Sequence, residues 1–475
     1  MRKPVVTTVL LLLLLAVVVA AAGLGGAATA LPAQAGPAAS SSHWCNFILA
    51  GKDATADGSV LMGYNNDWSV NNYVYMQVVP GAAARNQYVR LLTWGGVPEG
   101  GINVHQLGVN YGTATTLDAA VLAADPFVKK GYGGEIWDII LQQCSTAQEA
   151  ITLLGQMAQT GFTSGAAGSF GIADPQEAWV FELLGGHHWV AQRVPDDAVL
   201  AHPNIVTVRQ IDLGDPDNFR GSADLASFAA GIGRYDPAGG PLDVAWAYHD
   251  RDVLLSYYNT NRLWGAFDSV APSLELDPSM PYADRPVYVV PDDPVTRQDI
   301  QAICRYHYEG TAIDQTQDYT LMSPHAQTNR PICHSTTDYS AVWQLRSRKP
   351  VDIGGVMWVA PSRPCSSAYV PFYGSITSVP SSWTDKTAFN LFRAVADSLD
   401  KRGTVDGELR YAHYIPLVQG VYGAFEAECA SAQASLETEA ARLSGSARIT
   451  YLTDYSAQRA MQAQDLASGL PAQMP

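Results

Sequence analysis

Short runs in which hydrophobic and polar residues alternate open the body of the chain and return after residue 168. They are rich in β-branched and aromatic residues and are bounded by Gly, Asn, Asp or Pro, which is typical of strands joined by hairpins. The predicted strands are Cys45–Ala50, Val60–Asn65, Tyr73–Pro80, Gln87–Trp94, Ser169–Ala173, Ala178–Leu183 and Trp189–Val194, with further strands within 351–373.

Apolar residues recur with a helical period elsewhere, and from about Thr387 the chain becomes rich in alanine. The predicted helices are Ile136–Cys144, Ala147–Met157, Gln298–Tyr308, Phe389–Asp400, Tyr411–Leu443 with an interruption near Pro416, and Ser456–Ala467. Two of these helices begin with the residue spacing of a capping box, Ser145 with Gln148 and Thr296 with Asp299. No repeat or linker separates the helical end from the rest, so we expect an α+β protein with a helical C-terminal portion packed on the same domain.

The N-terminus has the pattern of an export signal. Arg2 and Lys3 precede an apolar run from Val9 to Ala22, and small residues with A-x-A spacing follow at 28–30 and 33–35. The run is short for a membrane span, although an uncleaved anchor is the alternative. We therefore predict a signal peptide over 1–35 and a pro-segment over 36–44, giving a secreted or extracytoplasmic protein that leaves the membrane once the signal is removed.

Composition removes several classes of protein. The 475 residues are 47% hydrophobic and 16% charged, which excludes a disordered chain, a collagen-like repeat and a coiled coil. With 29 Lys and Arg against 45 Asp and Glu, the formal charge is −16. Because an acidic chain without a basic run repels phosphate backbones, we expect no nucleic-acid partner.

Metal and redox motifs are weak. Six cysteines allow fifteen pairings, and we expect some disulfides in an exported protein, but no CxxC occurs, so neither a zinc site nor a redox motif is indicated. His187-His188 has no evident third ligand, and the acidic turn 212–218 lacks the spacing of a calcium loop. The sequence predicts no metal and no cofactor.

The usual signatures HExxH, GxxxxGK[ST], GxSxG and GxGxxG before a helix are missing. What remains is Cys45, at the start of the first predicted strand. A thiol is a strong nucleophile that needs a base, and a cut directly before Cys45 would supply one as its own α-amine. The alternative is a buried or disulfide-bonded structural cysteine.

Ordered sequence fragments add to this interpretation. They are the run from Cys45 to Asp67 (CNFILAGKDATADGSVLMGYNND), then Gly101-Ile-Asn103, Gly108-Val-Asn110, ADPQEAW at 173–179 with Glu182, HWVAQRVPDD at 188–197, YEGT at 308–311, GGVMW at 354–358, YVPFY at 369–373 and LTDYS at 452–456. Together they resemble the cysteine dipeptidases of the N-terminal-nucleophile (Ntn) hydrolase superfamily, relatives of penicillin V acylase and bile salt hydrolase.

The resemblance implies a four-layer αββα sandwich over residues 45–386, with the helical portion 387–475 packed on it. It also implies that Cys45 is the nucleophile, that Asp67 holds the α-amine, and that Asn110 or its neighbouring backbone binds the oxyanion. Asn103 and Asn204 are weaker oxyanion candidates. A dipeptide additionally needs an acidic group near its amine and a donor near its carboxylate, and these stay unassigned.

One position departs from the acylase relatives, which carry an arginine three residues before the aspartate where this chain has Tyr64. This difference favours dipeptides as substrates over acyl-amides, and Asp67 needs another counter-charge. The alternatives are an Ntn amidase acting on N-acyl amides and a catalytically inactive exported binding protein. The expected partner is therefore a dipeptide or small amide. The sequence does not decide whether the protein forms a homo-oligomer.

Overall fold

A computed structural model describes residues 45–68, 72–93, 95–166, 168–316, 323–325 and 329–475. The predicted signal peptide and pro-segment lie outside these residues. Among the residues described, no helix has both the length and the apolar composition needed to cross a bilayer.

Strands make up two large antiparallel sheets and one small hairpin. Their bounds are β1 Asn46–Ala50, β2 Val60–Asp67, β3 Tyr75–Val79, β4 Tyr88–Thr93, β5 Val97–Asn103, β6 Gly108–Asn110, β7 Ser169–Ala173, β8 Ala178–Leu183, β9 Trp189–Arg193, β10 Val199–His202, β11 Phe219–Gly221, β12 Thr337–Leu345, β13 Val356–Pro361, β14 Val370–Tyr373, β15 Thr404–Val405 and β16 Glu408–Leu409. The order is β10-β1-β2-β12-β13-β14 in the first sheet and β11-β9-β8-β7-β6-β5-β4-β3 in the second.

The α-helices among the described residues range from four to 33 residues in length. Their bounds are α1 Ala119–Ala124, α2 Ile136–Gln143, α3 Ala147–Ala158, α4 Leu225–Gly231, α5 Val244–Tyr248, α6 Arg251–Leu254, α7 Tyr257–Asp268, α8 Arg297–Arg305, α9 Val351–Gly354, α10 Lys386–Leu399, α11 Arg410–Arg442 and α12 Gly445–Gly469. Short 3-10 turns occur at Ser164–Ala166, Pro237–Gly239, Pro272–Leu274, Tyr282–Asp284, Pro364–Ser366, Ser381–Trp383 and Pro471–Gln473. The protein is thus α+β, and its three longest helices, α10 to α12, all follow residue 385.

The two large sheets contact each other through side chains of β2 and β12. A Cβ added at Gly108 on β6 would lie 2.9 Å from the Trp343 ring and 3.3 Å from the methyl of Met62. The indole of Trp343 also donates a 2.9 Å hydrogen bond to the Gly101 carbonyl of β5. Glycine on the second sheet therefore lets large residues of the first sheet approach its backbone.

Helices pack against both large sheets. Residues of α2 and α3 form one apolar cluster with alternate residues of β7 and β8, such as Phe170 and Phe181. On the first sheet, α8 lies against β2, where a Cβ at Gly63 would be only 2.5 Å from Ile300. At the C-terminal end, Glu437 of α11 accepts hydrogen bonds from Arg346, which directly follows β12, and from Tyr373 of β14.

Most predicted elements are present, and four details differ. Thr146, rather than Ser145, caps α3 by accepting from Glu149 N at 3.2 Å. Helix α11 continues through Pro416, which lies on its exposed side, where water can reach the carbonyl that loses its N–H partner. Residues 351–354 form helix α9 instead of a strand. The last predicted helix begins at Gly445, eleven residues early. The capping box at Thr296 and Asp299 is confirmed.

Candidate active site

Cys45 lies directly before β1 and is completely buried. Its Sγ accepts a hydrogen bond of 3.3 Å from the backbone N–H of Asp67 and lies 3.7 Å from the Asp67 carbonyl oxygen. The Tyr64 hydroxyl also lies within hydrogen-bond reach of the thiol and has a single proton to donate, either to the sulfur or to the Gly112 carbonyl. The antiparallel pairing of β1 and β2, with Asn46 opposite Asn65, creates this proximity.

Burial raises the pKa of the Cys45 thiol to about 12, and the charge of Asp67 adds to the rise. The hydrogen bond from Tyr64 and the bond from the Asp67 backbone oppose it. In this environment the sulfur carries its proton at neutral pH, so attack on a carbonyl requires a base close by.

The carboxylate of Asp67 is buried and ion-paired to Arg330, whose guanidinium donates to Oδ2. The Thr337 hydroxyl donates to Oδ1 at 2.5 Å. Burial raises the pKa of Asp67, and the charge of Arg330 and these two hydrogen bonds oppose that rise. Arg330 is therefore the counter-charge that the sequence requires once Tyr64 replaces an arginine on β2.

A second buried guanidinium, that of Arg262 on α7, holds the main chain of Cys45. It donates a 2.9 Å hydrogen bond to the Cys45 carbonyl oxygen and further bonds to the amide oxygens of Asn204, at 2.9 Å, and Asn259, at 2.7 Å. Burial, together with the nearby charge of Arg330, lowers the pKa of Arg262 to about 10, so it stays cationic at neutral pH. Asn204, a weaker sequence candidate, is thus joined to Cys45 through one residue.

Asn110 lies at the end of β6. Its Oδ1 accepts from Gly171 N at 3.0 Å, and its Nδ2 donates to the sulfur of Met62 at 3.6 Å. Met62 pairs with Leu49, four residues or roughly 13 Å along the strand from Cys45. The backbone after Asn110 comes closer to the thiol, because Tyr64 donates to the Gly112 carbonyl at 3.0 Å.

Glu99 is a buried carboxylate linked to the thiol by a short chain of hydrogen bonds. The amide of Asn66 donates to Glu99 at 2.7 Å and to the Tyr64 hydroxyl at 3.0 Å, and Tyr64 in turn contacts Cys45. Burial raises the pKa of Glu99 to about 8, while the hydrogen bonds from Thr93 and Asn66 oppose the rise. Glu99 therefore loses its proton and becomes charged as the pH rises through about 8.

Two other sequence candidates have structural partners away from this site. The Asn103 amide donates to the carbonyls of Leu141 and Cys144 at 3.0 and 2.8 Å, which ties β5 to the end of α2. The rings of His187 and His188 each donate from Nδ1 to the carboxylate of Asp125, at 2.8 and 2.7 Å. That carboxylate also accepts from the backbone N–H of both histidines.

All six cysteines lie within the described residues, and all six are free buried thiols. The expectation that some of them pair is thus wrong for this structure, although Cys45 is unpaired as a nucleophile must be. Arg262, Arg330, Thr337 and Glu99 carry no signal in the sequence that predicts them. A buried arginine or glutamate has no local signature, because its partners come from distant parts of the chain.

Comparison with known proteins identifies the chain. Residues 82–393 match peptidase family C69. The match spans well over half of the chain, so the protein is a cysteine peptidase, as the sequence predicts. The chain belongs to peptidase family C69. The matched range begins after Cys45 and Asp67 and includes Asn110, Arg262 and Arg330.

Curated relatives point the same way. A protein named "Probable dipeptidase" from Salmonella dublin is 30% identical over 360 residues, covering 69% of this chain and 80% of that protein. A "Dipeptidase" from Bifidobacterium longum is 27% identical over 401 residues, covering 72% and 73%. The resemblance to dipeptidases stated from the sequence is confirmed.

Among solved structures, penicillin V acylase from Agrobacterium tumefaciens aligns over 69% of this chain and 86% of its own, with 11% identity and a TM-score of 0.34.

Proposed function

We propose that this protein is a secreted cysteine dipeptidase whose mature chain begins at Cys45, the nucleophile. One observation carries the proposal: the buried Cys45 thiol lies against Asp67, while Arg262 fixes the Cys45 carbonyl and Arg330 fixes the Asp67 carboxylate. The names of the curated relatives supply the substrate class.

The groups that react with the substrate are the thiol and the α-amine of Cys45, together with one water molecule. Its α-amine takes the thiol proton, the sulfur bonds to the peptide carbonyl carbon, and the carbonyl π electrons move to oxygen. When the C–N bond breaks, the ammonium returns its proton to the leaving nitrogen and the C-terminal amino acid departs. The amine then takes a proton from water as the water oxygen attacks the thioester carbon, and the carbonyl π electrons again move to oxygen. Those electrons re-form the carbonyl as the C–S bond breaks, the ammonium gives its proton to the departing sulfur, and the N-terminal amino acid is released with the thiol and free amine restored.

Asp67 has the role of a positioning residue in this mechanism. A carboxylate held at both oxygens, by Arg330 and Thr337, offers a fixed acceptor for the ammonium form of the Cys45 amine. The pKa of an ordinary α-amine, about 7.7–8.0, suits proton exchange near neutral pH.

Oxyanion stabilisation requires donors that are already in place. The backbone following Asn110 suits this role better than the Asn110 side chain, because the bond from Tyr64 to the Gly112 carbonyl holds this backbone beside the thiol, where an N–H of the segment would be the donor. Asn204 is the second candidate, because Arg262 connects it to Cys45.

The architecture we propose is the four-layer αββα sandwich of Ntn hydrolases over 45–386, with 387–475 packed on the same domain. Contacts that support it are those of Trp343 between the sheets, of Ile300 and Phe170 on their outer sides, and of Glu437 with Arg346. A signal peptide over 1–35 and a pro-segment over 36–44 complete the proposal.

N-terminal sequencing and intact mass of the secreted protein test the start point. We expect mature protein beginning at Cys45, and a product that retains upstream residues overturns the mechanism. Cys45→Ala and Cys429→Ala form a matched pair, since both residues are buried free thiols. The first variant should lose all hydrolysis and the second should retain it. Persistence of the uncleaved form in Cys45→Ala alone assigns the cleavage to the chain itself.

A substrate panel tests the class of amide. Free dipeptides should be cleaved, whereas N-acyl amides such as penicillin V or conjugated bile salts should not. Exclusive cleavage of the acyl-amides would favour the amidase alternative. Failure to cleave either class by a protein correctly processed at Cys45 would leave the binding-protein alternative.

A further inference from the structure

A second cluster of reactive side chains lies apart from Cys45 and plays no part in the proposed reaction. It consists of His307, His325, Cys333 and Cys365, all buried, and one ligand atom from each lies within 4.8 Å of the other three. The Nε2 of His325 is 3.3 Å from the sulfur of Cys365 and 3.9 Å from that of Cys333. We refer to these four residues as the His2Cys2 cluster.

Both imidazole rings are oriented by contacts at their other nitrogen. The Nδ1 of His307 lies 2.9 Å from a carboxylate oxygen of Glu309. The Nδ1 of His325 lies 2.8 Å from the Ser323 hydroxyl and 3.4 Å from a carboxylate oxygen of Asp400. A carboxylate at Nδ1 keeps the proton there and leaves the Nε2 lone pair free for a metal, the arrangement common to metal-binding histidines.

The Nε2 of His307 makes no hydrogen bond of ordinary geometry in the part of the chain that the structure describes, and the side chain it interacts with is the Cys365 thiol of the cluster. A buried polar atom without a partner costs free energy, so proteins rarely keep one. A metal ion bound at the centre of the cluster would give this atom a ligand bond.

We propose that the His2Cys2 cluster binds one Zn²⁺ as a structural site. Two imidazoles and two thiolates are a donor set that Zn²⁺ prefers, with Zn–S of about 2.3 Å and Zn–N of about 2.0–2.1 Å. Those bond lengths give tetrahedral ligand-to-ligand separations of about 3.3–3.8 Å. The observed N–S separations, 3.3 and 3.9 Å, lie on either side of the roughly 3.6 Å that these bond lengths give for a nitrogen and a sulfur on one zinc.

A disulfide between Cys333 and Cys365 is the alternative use of the two sulfurs. It would account for the thiols but would leave two histidines aimed at a group that needs neither of them. Four protein ligands in a buried position also leave no open site for water or substrate, which distinguishes a structural from a catalytic zinc.

The position of the cluster suggests what the metal does. Cys333 follows Arg330 by three residues, and its backbone N–H donates to the Tyr306 carbonyl at 3.1 Å, just after α8. A metal bond at Cys333 would therefore hold the segment that carries Arg330, the ion-pair partner of Asp67. The ligands are separated by 18, 8 and 32 residues, so no spacing motif marks them in the sequence, which predicted no metal.

Metal analysis of the full chain tests the proposal. Protein produced in zinc-supplemented medium and purified without chelator should contain one zinc per chain by inductively coupled plasma mass spectrometry. Cys365→Ala and His325→Ala should contain little, whereas His325→Cys should retain the metal because cysteine can replace histidine as a ligand. Cys144→Ala and Cys429→Ala are the matched controls, and both should retain one zinc.

Exchange with Co²⁺ adds a readout independent of activity. Bound Co²⁺ should give the thiolate charge-transfer and tetrahedral ligand-field bands, and Cys365→Ala should lose them. Wild-type protein without zinc under these conditions overturns the proposal, and this result does not depend on whether the variants fold. An intact mass that reveals a Cys333–Cys365 disulfide also overturns it, as does full zinc content in His325→Ala.

Discussion

Arg262 donates a hydrogen bond of 2.9 Å to the main-chain carbonyl of Cys45, 217 residues earlier in the chain. Because this contact is to the backbone, it fixes the position of the residue without using the sulfur. Cys45 is thereby held at its carbonyl by Arg262 and at its sulfur by the N–H of Asp67.

Replacing Arg262 by Met should impair catalysis. A hydrogen bond to a charged group contributes about 1.5–3 kcal/mol, so we expect kcat/KM for a dipeptide to fall roughly 10- to 100-fold. Arg234 is a suitable control, because it also donates to main-chain carbonyls, those of Ala247 and His249, and its ion-pair partner is Asp118, which is not part of the candidate site. Equal losses in Arg262→Met and Arg234→Met would contradict a specific role.

Arg330→Met should destabilise the fold strongly, because it leaves the buried carboxylate of Asp67 without its counter-charge. Removing one partner of a buried ion pair costs about 3–5 kcal/mol, measurable by urea unfolding. Arg442→Met, which breaks an exposed pair with Glu439, should cost no more than about 1 kcal/mol. Adding Asp67→Asn to Arg330→Met should restore stability while activity stays lost; no recovery of stability would argue against the pair.

Tyr64→Phe removes the hydroxyl that hydrogen-bonds the thiol. Since that bond lowers the pKa of Cys45, its loss should raise the thiol pKa further and reduce kcat roughly 3- to 10-fold with little change in KM. The pH dependence of kcat should shift to higher pH. Tyr373→Phe is the matched control, as its buried hydroxyl bonds Glu437 instead, and its pH profile should be that of the wild type.

Glu99 should make stability depend on pH. Its pKa is about 8 in the folded protein against an ordinary value of 4.5, so between these pH values the folded state holds a proton that the unfolded chain has released. The free energy of unfolding therefore falls as pH rises through this window. Glu99→Gln should lack that part of the decline, so its stability relative to wild type should increase by roughly 2–4 kcal/mol from pH 5 to pH 8.

The exposed Glu439→Gln provides the control for that experiment and should leave the pH dependence unchanged. A wild type and a Glu99→Gln variant with parallel stability curves would show that Glu99 does not titrate in this window.

Gly63→Ala tests the packing of α8 on β2. The added methyl would lie 2.5 Å from Ile300, so we expect a loss of about 1–3 kcal/mol in the free energy of unfolding. Gly420→Ala places the same methyl in open space on the exposed side of α11 and should stabilise by about 0.4–1 kcal/mol. Ile300→Ala should relieve the clash, and a Gly63→Ala variant as stable as wild type would contradict the close contact.

The sequence predicts those parts of the structure that depend on neighbours in the chain. Cys45 and Asp67 come together because β1 and β2 form a local hairpin, and alternation in both strands is visible. The capping box at Thr296 is visible for the same reason. By contrast, strand β12 is not predicted although all nine of its residues are buried, because polar residues such as Ser340 and Gln344 interrupt its hydrophobic pattern. Their hydrogen bonds to Tyr369 and Asp57 exist only in the folded protein.

Site residues from distant segments could not be predicted. Arg262 and Arg330 reach Cys45 and Asp67 across separations of more than 200 residues, and nothing in their local sequence distinguishes them from surface arginines. The family resemblance implies Asn110 as an oxyanion candidate, but its side-chain contacts depend on how the second sheet lies against Met62.

The long separation between Asp67 and its partners also sets an order of events during synthesis. The ribosome releases the N-terminal side first, so Cys45 and Asp67 emerge long before Arg330 and Thr337 are made. Until those residues arrive, the aspartate has neither of its two fixed contacts, and a nascent chain that ends before residue 337 cannot assemble the centre. Assembly of the centre around Cys45 and Asp67 therefore waits until more than two thirds of the 475 residues have been made.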